Sequence, residues 1–393
     1  MACVKKVNEA KKHSDELDKQ LKIWHRKYEK IVKLLLLGTG ESGKTTILKQ
    51  MKILHISGYT VSERREKVAE ILQNVHESIY DIVRNMRLLN PPLDLENSNN
   101  EKSLKYIVQL GPDCPSTFSE EYFQHVEALW KDRGVQMSYR RSNEYQLIDS
   151  AKYFLDQLET LKRPDYVPSD QDILRSRKTT TEIQKIEFSL KIPKRYGGGS
   201  QTFWMFDVGG QRGARKKWIQ VFDGIRSVLF LVACSDFDQT LREQTSTNRL
   251  KEALILFENM WYSRFLQESG IILFLNKQDV LMEKIKQGKS IRQNFPEYDS
   301  YIMNPKDGRS DDEYLRTRSF IRDLFLGITT KKTPAHHEYV VFHRVSLPIE
   351  DVIRKRGFYY HFTTATDTNN IKMVFEDVHS MILAENLSVA GLE

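Results

Sequence analysis

Apolar side chains recur at alternating steps of three and four along the start of the chain. Leu17 and Trp24 belong to this stripe, which runs from Val7 to Ile31 on an otherwise polar segment. The period is that of an α-helix, and it predicts one amphipathic helix over residues 1–30. Because the helix precedes the first strand, we expect it to project from the core and to bury its stripe against a partner protein. The alternative is a helix folded back on its own domain.

Short apolar runs of a different kind follow, and they are typical of strands in the middle of a parallel sheet. Two further runs flank a glycine-rich turn at 196–200 and predict a hairpin. The predicted strands cover residues 31–37, 183–192, 202–207, 227–233, 270–275 and 359–363. The predicted helices cover residues 46–54, 248–261, 311–325 and a C-terminal segment with an apolar face from Ile371 to Ile382. This alternation predicts an α/β domain.

A long stretch with helical periodicity interrupts the α/β pattern. Apolar positions such as Ile71 and Val75 recur with helical spacing, and strand-like alternation is scarce. The apolar groups at 145–148 and 153–155 are predicted to continue a later helix pair. The predicted domains are an N-terminal helix over 1–30, an α/β domain over 31–58 and 172–393, and an all-helical insert over 59–171.

The amino-acid composition says little about which kind of molecule this protein binds. The chain has 393 residues, a formal net charge of +7 and a pI near 9.0, which fits nucleic acid, anionic lipid or no special partner. No block of basic residues is interleaved with aromatic residues, so we do not expect nucleic-acid binding. The three cysteines, Cys3, Cys114 and Cys234, have neither disulfide nor metal-site spacing, and a cytosolic chain is expected.

Cys3 is a candidate site of S-palmitoylation. It lies beside a cluster of lysines that includes Lys5 and Lys6, whereas Ala2 stands where N-myristoylation requires glycine. An acyl chain and a basic cluster together supply the two signals that stable membrane attachment needs. An unmodified terminal cysteine is the alternative.

A loop between a predicted strand and a predicted helix carries a phosphate-binding pattern. Residues 38–45 read Gly-Thr-Gly-Glu-Ser-Gly-Lys-Thr, which is the spacing of a P-loop. The glycines let successive backbone N–H groups turn towards phosphates, and the following helix adds partial positive charge. Lys44 can reach the outer phosphates, and the Thr45 hydroxyl can bind Mg²⁺. The predicted nucleotide-binding residues in this stretch are Glu41, Ser42, Gly43, Lys44, Thr45 and Thr46.

Two more motifs follow apolar strands. In the run Asp207-Val208-Gly209-Gly210-Gln211, the carboxylate can hold Mg²⁺ through water, and the Gly210 N–H can meet a terminal phosphate. Gln211 can orient an attacking water. In the run Asn276-Lys277-Gln278-Asp279, the last carboxylate can accept two hydrogen bonds from guanine, whereas adenine would leave it unpaired. The base is therefore predicted to be guanine.

Together these motifs resemble those of the GTPase superfamily. The helical insert and the stretch 172–180 narrow the resemblance to heterotrimeric G-protein α subunits. Residues 142–149, 166–172 and 319–323 look like the stimulatory class, as does the extended segment at 329–356. The implied fold is a Ras-like P-loop GTPase domain, with a mostly parallel six-stranded sheet flanked by helices, an inserted all-helical domain and an N-terminal helix.

The resemblance implies roles for individual residues. Arg177 matches an arginine finger carried in cis, and Thr180 matches the threonine that completes Mg²⁺ coordination beside Thr45 and Asp207. Gln211 matches the water-positioning glutamine. The Ala365 N–H would contact the base, and Glu41 would pair with Arg177. The other implied nucleotide-binding positions are Asp149, Ser150, Leu174, Arg175 and Ser176.

The resemblance also implies partners and a place in the cell. A G-protein βγ dimer would bind the N-terminal helix and the loop after Gln211. An activated seven-helix receptor would engage the C-terminal helix, and adenylyl cyclase is the implied effector. The protein would hydrolyse GTP slowly with Mg²⁺ as cofactor, as a peripheral protein at the cytoplasmic face of the plasma membrane.

Departures from the family pattern leave one alternative function open. Glu182 stands where the family usually has glycine, and we expect a different bend there. Gly213 and Ala214 replace a polar residue and a glutamate, which removes an acidic contact and is expected to loosen that loop. The alternative is a non-cycling, nucleotide-bound module that binds βγ, although the retained Arg177 and Gln211 favour a cycling enzyme. A P-loop ATPase or kinase is disfavoured by the guanine motif.

Overall fold

The computed structural model describes residues 2–194, 197–330 and 357–389. The Cys3 side chain, most of the extended segment at 329–356 and the end of the chain lie outside the described part, so the predictions made there stay predictions. The strands are β1 Val32–Gly38, β2 Gln184–Lys191, β3 Ser200–Asp207, β4 Ser227–Ala233, β5 Gly270–Asn276 and β6 Phe358–Phe362.

The helices begin with α1 Ala2–Glu29, which precedes the sheet, and α2 Lys44–His55, which follows the P-loop. The helices between β1 and β2 continue with α3 Val61–Met86, α4 Glu101–Leu110, α5 Glu120–Trp130, α6 Arg133–Arg140, α7 Ala151–Leu155, α8 Leu158–Leu161 and α9 Asp170–Arg175. The later helices are α10 Arg249–Trp261, α11 Gln278–Lys286, α12 Glu313–Thr330 and α13 Thr368–Val389.

Across the described residues, six strands form one sheet in the order β2-β3-β1-β4-β5-β6. All neighbouring pairs are parallel except β2 and β3, which form the predicted antiparallel hairpin at one edge. β1 and β4 are buried at every position, as their continuous apolar sequence requires, whereas β2 is exposed at most positions. The predicted fold class is confirmed.

Alternate residues of the strands enter different cores. Leu35 and Leu37 of β1 pack with α10 and α12 on one face of the sheet, in a cluster that includes Phe257 and Phe325. Leu34 and Leu36 pack on the other face with α2 and α13. This separation follows from the two-residue period of a strand. Both faces are thereby covered, and the carboxyl ends of the strands are left to build a site.

The helices between β1 and β2 have a core of their own. The described buried members of this cluster lie between Ile71 and Leu161, and α3 supplies the largest share of them. Thr60 and Glu63 form a capping box that fixes the start of α3. The predicted insert boundary at 171 falls inside α9. Residues 145–148 are not helical, so that part of the predicted helix pair is wrong.

α1 confirms the predicted N-terminal helix. Leu17, Leu21 and Trp24 are 46%, 60% and 57% exposed, so the described part of the stripe is not folded back on the sheet. Among the described side chains of the helix, Tyr28 near its end anchors it to the sheet, where the ring stands edge-on to Trp204 of β3 at 5.5 Å. None of the described helices is both long enough and apolar enough to cross a bilayer.

The separate core of the insert can be tested with Phe154, which is fully buried. Phe154→Ala should lower the free energy of unfolding of the insert by about 3–5 kcal/mol, because the lost ring leaves a cavity. Leu88→Ala is the control, since Leu88 is exposed and its loss should change stability by less than about 0.5 kcal/mol. Urea unfolding followed by circular dichroism measures both, and equal effects of the two substitutions would contradict the assignment.

Candidate nucleotide site

The P-loop joins β1 to α2 and depends on glycine where the chain is crowded. Gly43 has a φ of +102° and caps α2, and a Cβ there would lie 2.3 Å from the Asn276 Nδ2 atom. At Gly210, a Cβ would lie 2.4 Å from Lys44 Nζ and 2.5 Å from the Gly38 carbonyl oxygen. A side chain at Gly43 would therefore displace the P-loop from Asn276, and a side chain at Gly210 would push the loop after β3 away from the P-loop.

A cavity of about 220 Å³ lies at the carboxyl ends of the strands, beside this loop. Most of the predicted site residues line it. These are Glu41, Gly43, Lys44, Thr45, Thr46, Asp149, Ser150, Leu174, Arg175, Ser176, Arg177, Thr180, Gly210, Gln211, Asn276, Lys277, Asp279 and Ala365. Ser42 and Asp207 are fully buried at the wall behind it. Residues that sequence reasoning missed also line the cavity, among them Lys49, Arg215, Arg242 and Arg249.

Lys44 is buried at the base of the loop. Its ammonium donates to the carbonyl oxygens of Gly38 at 3.1 Å and Thr39 at 2.7 Å. Burial lowers the pKa of Lys44 to about 8, and the nearby Asp207 carboxylate offsets part of the effect. A buried cation beside the P-loop is suited to an anionic ligand, since the ligand would supply the charge that the desolvated ammonium lacks.

Three oxygen-bearing side chains meet where Mg²⁺ was predicted. Thr45 Oγ1 donates to Asp207 Oδ2 at 2.6 Å and lies 2.9 Å from Thr180 Oγ1. The other carboxylate oxygen of Asp207 is buried and has no hydrogen-bond partner within the described part of the chain. Burial raises the pKa of Asp207, although Lys44 opposes this. Hydroxyl and carboxylate oxygens are the ligands that Mg²⁺ prefers, so the residues present fit this cation.

Glu41 is the centre of a cluster of arginines. Its Oε1 atom accepts from Arg177 Nη2 at 2.7 Å and from Arg242 Nε at 2.8 Å, and its Oε2 atom accepts from Arg249 Nη1 at 2.9 Å. Arg249 also donates to Gln146 Oε1 of the insert at 2.7 Å. Burial opposes ionisation of Glu41, but the three guanidinium groups, Arg249 foremost, lower its pKa to about 2. The predicted pairing of Glu41 with Arg177 is present.

On the predicted guanine side, Asn276 braces two loops. Its Nδ2 donates to the Ser42 carbonyl at 2.8 Å, and its Oδ1 accepts from the Ala365 N–H at 2.9 Å and from Thr363 Oγ1 at 3.2 Å. The Ala365 N–H, predicted to contact the base, thus donates to Asn276 in this structure. Asp279 is exposed at the cavity, where its carboxylate can accept from a base.

The insert closes the cavity through polar contacts. Asp149 forms an ion pair with Lys277 across the cleft. Gln171 donates to the Thr366 carbonyl at 3.0 Å. Residues 145–148, predicted as helix, form a bend and irregular backbone there, and Gln146 donates to the Thr240 carbonyl at 3.1 Å.

The loop after Gln211 is ordered despite Gly213 and Ala214. Residues Arg212–Val221 form a 3₁₀ helix. Arg212 and Arg215 both bind the buried Glu252 of α10, at 2.6 and 2.7 Å. Contacts on both sides of the substituted pair therefore hold the loop against α10, and the expected loosening stays a prediction. Glu182 lies exposed at a bend without a positive φ, so glycine is not required there.

The site combines a P-loop after β1, a buried aspartate at the end of β3 and an Asn-Lys-x-Asp run that begins at the end of β5. Together with the inserted helical core, these features define a regulatory GTP-binding protein. The family profile described as G-protein alpha subunit matches residues 11–382, and the chain belongs to that family. It binds guanine nucleotides, is a GTPase and acts in G-protein signal transduction.

Named relatives agree with this assignment. The chain is 50% identical to the G(f) subunit alpha of Drosophila melanogaster over 92% of this chain and 88% of that protein. It is 43% identical to the G(s) subunit alpha of Drosophila pseudoobscura pseudoobscura over 95% and 91%. It is 41% identical to the human G(olf) subunit alpha over 95% and 92%.

Glu41→Gln tests the arginine cluster because it keeps the side-chain shape and removes the charge. A fall in pKa from 4.5 to about 2 corresponds to about 3 kcal/mol of stability at neutral pH. As pH falls, Glu41 takes up its proton in the unfolded chain before it does so in the folded chain. The stability that the ionised Glu41 contributes is therefore complete well above pH 4.5 and is lost as pH falls towards 2. The difference in unfolding free energy between wild type and variant should thus shrink by about 1.4 kcal/mol between pH 6 and pH 3.5.

Urea unfolding at the two pH values measures this difference. Glu66→Gln, which removes an exposed acid of α3, is the matched control and should show little change. A difference between wild type and Glu41→Gln that stays constant with pH would contradict the ionised state of Glu41.

Proposed function

We propose that the protein is a membrane-associated switch that alternates between GDP and GTP with Mg²⁺. The observation that carries this proposal is the meeting of Thr45, Thr180 and Asp207. These residues come from the P-loop helix, from the segment before β2 and from the end of β3. Mg²⁺ would supply positive charge between the phosphates and these oxygens, so its binding would hold Thr180 in place.

The chain's own groups can perform the hydrolysis. Gln211 lies over the P-loop, since a Cβ on Gly40 would be 3.5 Å from its Cγ atom. From there its amide can orient a water for attack on the terminal phosphate. The Arg177 guanidinium lines the same cavity and can neutralise charge that develops on the phosphoryl group. Lys44 and the Gly210 N–H would bind the same phosphate.

The surface supports a βγ partner. α1 presents Leu17, Leu21 and Trp24 to solvent, and the 3₁₀ helix after Gln211 presents Ile219, which is 51% exposed. Apolar side chains on a helix that no described part of the chain covers are suited to a protein partner. We infer that these two surfaces bind a βγ dimer in the GDP state.

The C-terminal helix is the proposed receptor contact. α13 packs on the sheet and on α2 through Ile371, Phe375 and Val378, while its start follows the Ala365 loop of the nucleotide site. A receptor that displaces α13 would therefore disturb the loop that Asn276 braces. Acylation of Cys3 would hold the protein at the cytoplasmic face of the plasma membrane. Likeness to the stimulatory class favours adenylyl cyclase as effector.

Single-turnover hydrolysis of GTP tests the switch. Wild-type protein loaded with GTP should release phosphate after Mg²⁺ is added, and Gln211→Leu should be slower by about a hundredfold because the attacking water loses its positioning group. A wild-type rate equal to that of Gln211→Leu would instead favour the non-cycling βγ-binding module. Competition of bound GTP by ATP in the same assay checks the base preference.

Adenylyl cyclase activity tests the effector. Protein loaded with a non-hydrolysable GTP analogue should raise cyclic AMP production in membranes that contain the cyclase, and the same protein loaded with GDP should not. Equal activity in the two nucleotide states would exclude this effector. Removal of Leu392 and Glu393 should abolish receptor-stimulated GDP release, and unchanged stimulation would contradict the receptor assignment.

A further inference from the structure

Two polar side chains of α3 face the segment that carries Arg177. Glu70 and Asn74 are four residues apart and therefore lie on the same side of the helix. They contact consecutive residues, since Glu70 accepts from Ser176 Oγ at 2.8 Å and Asn74 contacts the backbone of Arg177. The insert thus touches the segment between α9 and β2 at two adjacent positions.

The contact from Asn74 is two-sided. Its Oδ1 accepts from the Arg177 N–H at 2.7 Å, and its Nδ2 donates to the Arg177 carbonyl at 2.8 Å. The donor and the acceptor of the Asn74 amide therefore both bind the backbone of Arg177. Asn74 is 1% exposed, so water does not compete for these hydrogen bonds.

The neighbouring residue is held from the other side. Lys49 of α2 donates to the Ser176 carbonyl at 2.7 Å and to the Ile173 carbonyl at 2.8 Å. Ser176 and Arg177 are therefore fixed between the P-loop helix and α3. The backbone of Arg177 is thus held while its guanidinium pairs with Glu41 at 2.7 Å.

Packing within α3 does not explain Asn74. Asparagine is a poor helix former, and a buried amide is costly unless it is hydrogen-bonded. Both hydrogen bonds of the amide go to a segment outside the helix. The residue one turn later, Ser78, is also buried, but its hydroxyl donates to the Asn74 carbonyl within the helix at 2.6 Å.

We propose that Asn74 is a positioning residue for GTP hydrolysis, which holds the Arg177 backbone so that the guanidinium reaches the transferring phosphoryl group. This rests on the proposed role of Arg177. Asn74 itself touches neither nucleotide nor water in this scheme. It acts through Arg177, and its effect should disappear when Arg177 is absent.

A double-mutant cycle on the full chain tests this. Single-turnover GTP hydrolysis is measured for wild type, Asn74→Ala, Arg177→Ala and the double variant. Asn74→Ala should slow phosphate release by about tenfold to a hundredfold, because misplacement of a catalytic group by about 1 Å can cost that much. The double variant should be no slower than Arg177→Ala, since coupled residues are strongly non-additive.

Further variants separate positioning from folding. Asn74→Leu has a similar branched shape, is a good helix former and should be as slow as Asn74→Ala. It should remain folded, with a melting temperature lower by only a few degrees, because the Arg177 N–H and carbonyl lose their Asn74 partners. Ser78→Ala is the matched control on the same buried face and should hydrolyse GTP at the wild-type rate. The affinity of Asn74→Leu for a non-hydrolysable GTP analogue should stay within about threefold of wild type, because no contact to the nucleotide is removed.

Two outcomes would overturn the positioning role alone, and a third would overturn it together with the role of Arg177. One is wild-type hydrolysis in Asn74→Leu while Arg177→Ala is impaired, which would leave the role of Arg177 intact. The other is a double variant whose loss is the product of the two single losses, which would show that Asn74 acts independently. Wild-type hydrolysis in Arg177→Ala would refute the proposed role of Arg177 and the positioning role with it.

Discussion

The mostly buried carboxylate of Glu41 makes it possible to gather several arginines around one cavity. Arg177, Arg242 and Arg249 would repel one another if Glu41 were absent, since each is within hydrogen-bonding distance of the same group. The arginines come from different segments, and Arg249 also holds Gln146 of the insert. The shape of the cavity, and the hold of the insert on it, therefore depend on an acid inside the P-loop.

The sheet explains why these groups meet. Four neighbouring strands, β1, β3, β4 and β5, run parallel to one another. The loops that follow them therefore lie together at the carboxyl end of the sheet. This end of the sheet carries the P-loop after β1, Asp207 at the end of β3, and the Asn-Lys-x-Asp run that begins with Asn276 at the end of β5. The strands are anchored by two cores, one on each face of the sheet, and the loops need little support beyond braces such as Asn276. The packed sheet thus serves as the scaffold on which loops from distant parts of the sequence assemble one site.

Short sequence patterns predicted the features of the fold and of the site that depend on residues close together in the chain. The apolar runs of β1, β4 and β5 and the P-loop spacing are short-range signals, and the structure agrees with them. Arg242, Arg249 and Asn74 were missed because their partners lie far away in sequence, and no motif marks them. Residues 145–148 look helical from their apolar side chains, but they are not helical, and Gln146 makes contacts across the cleft instead. The ordered loop at Gly213 likewise depends on Glu252, which is distant in sequence.

The contacts by which the insert covers the cavity have a consequence for evolution. Gln146, Asp149 and Gln171 each contribute an interaction at the rim, and none of them supplies a group that attacks or stabilises phosphate. A single such bond is worth about 1 kcal/mol, or severalfold in a rate. Substitution of these three residues can therefore lengthen or shorten, in small steps, the time for which the insert keeps the cavity closed. Such substitutions leave in place Arg177 and Gln211, the residues proposed to carry out hydrolysis.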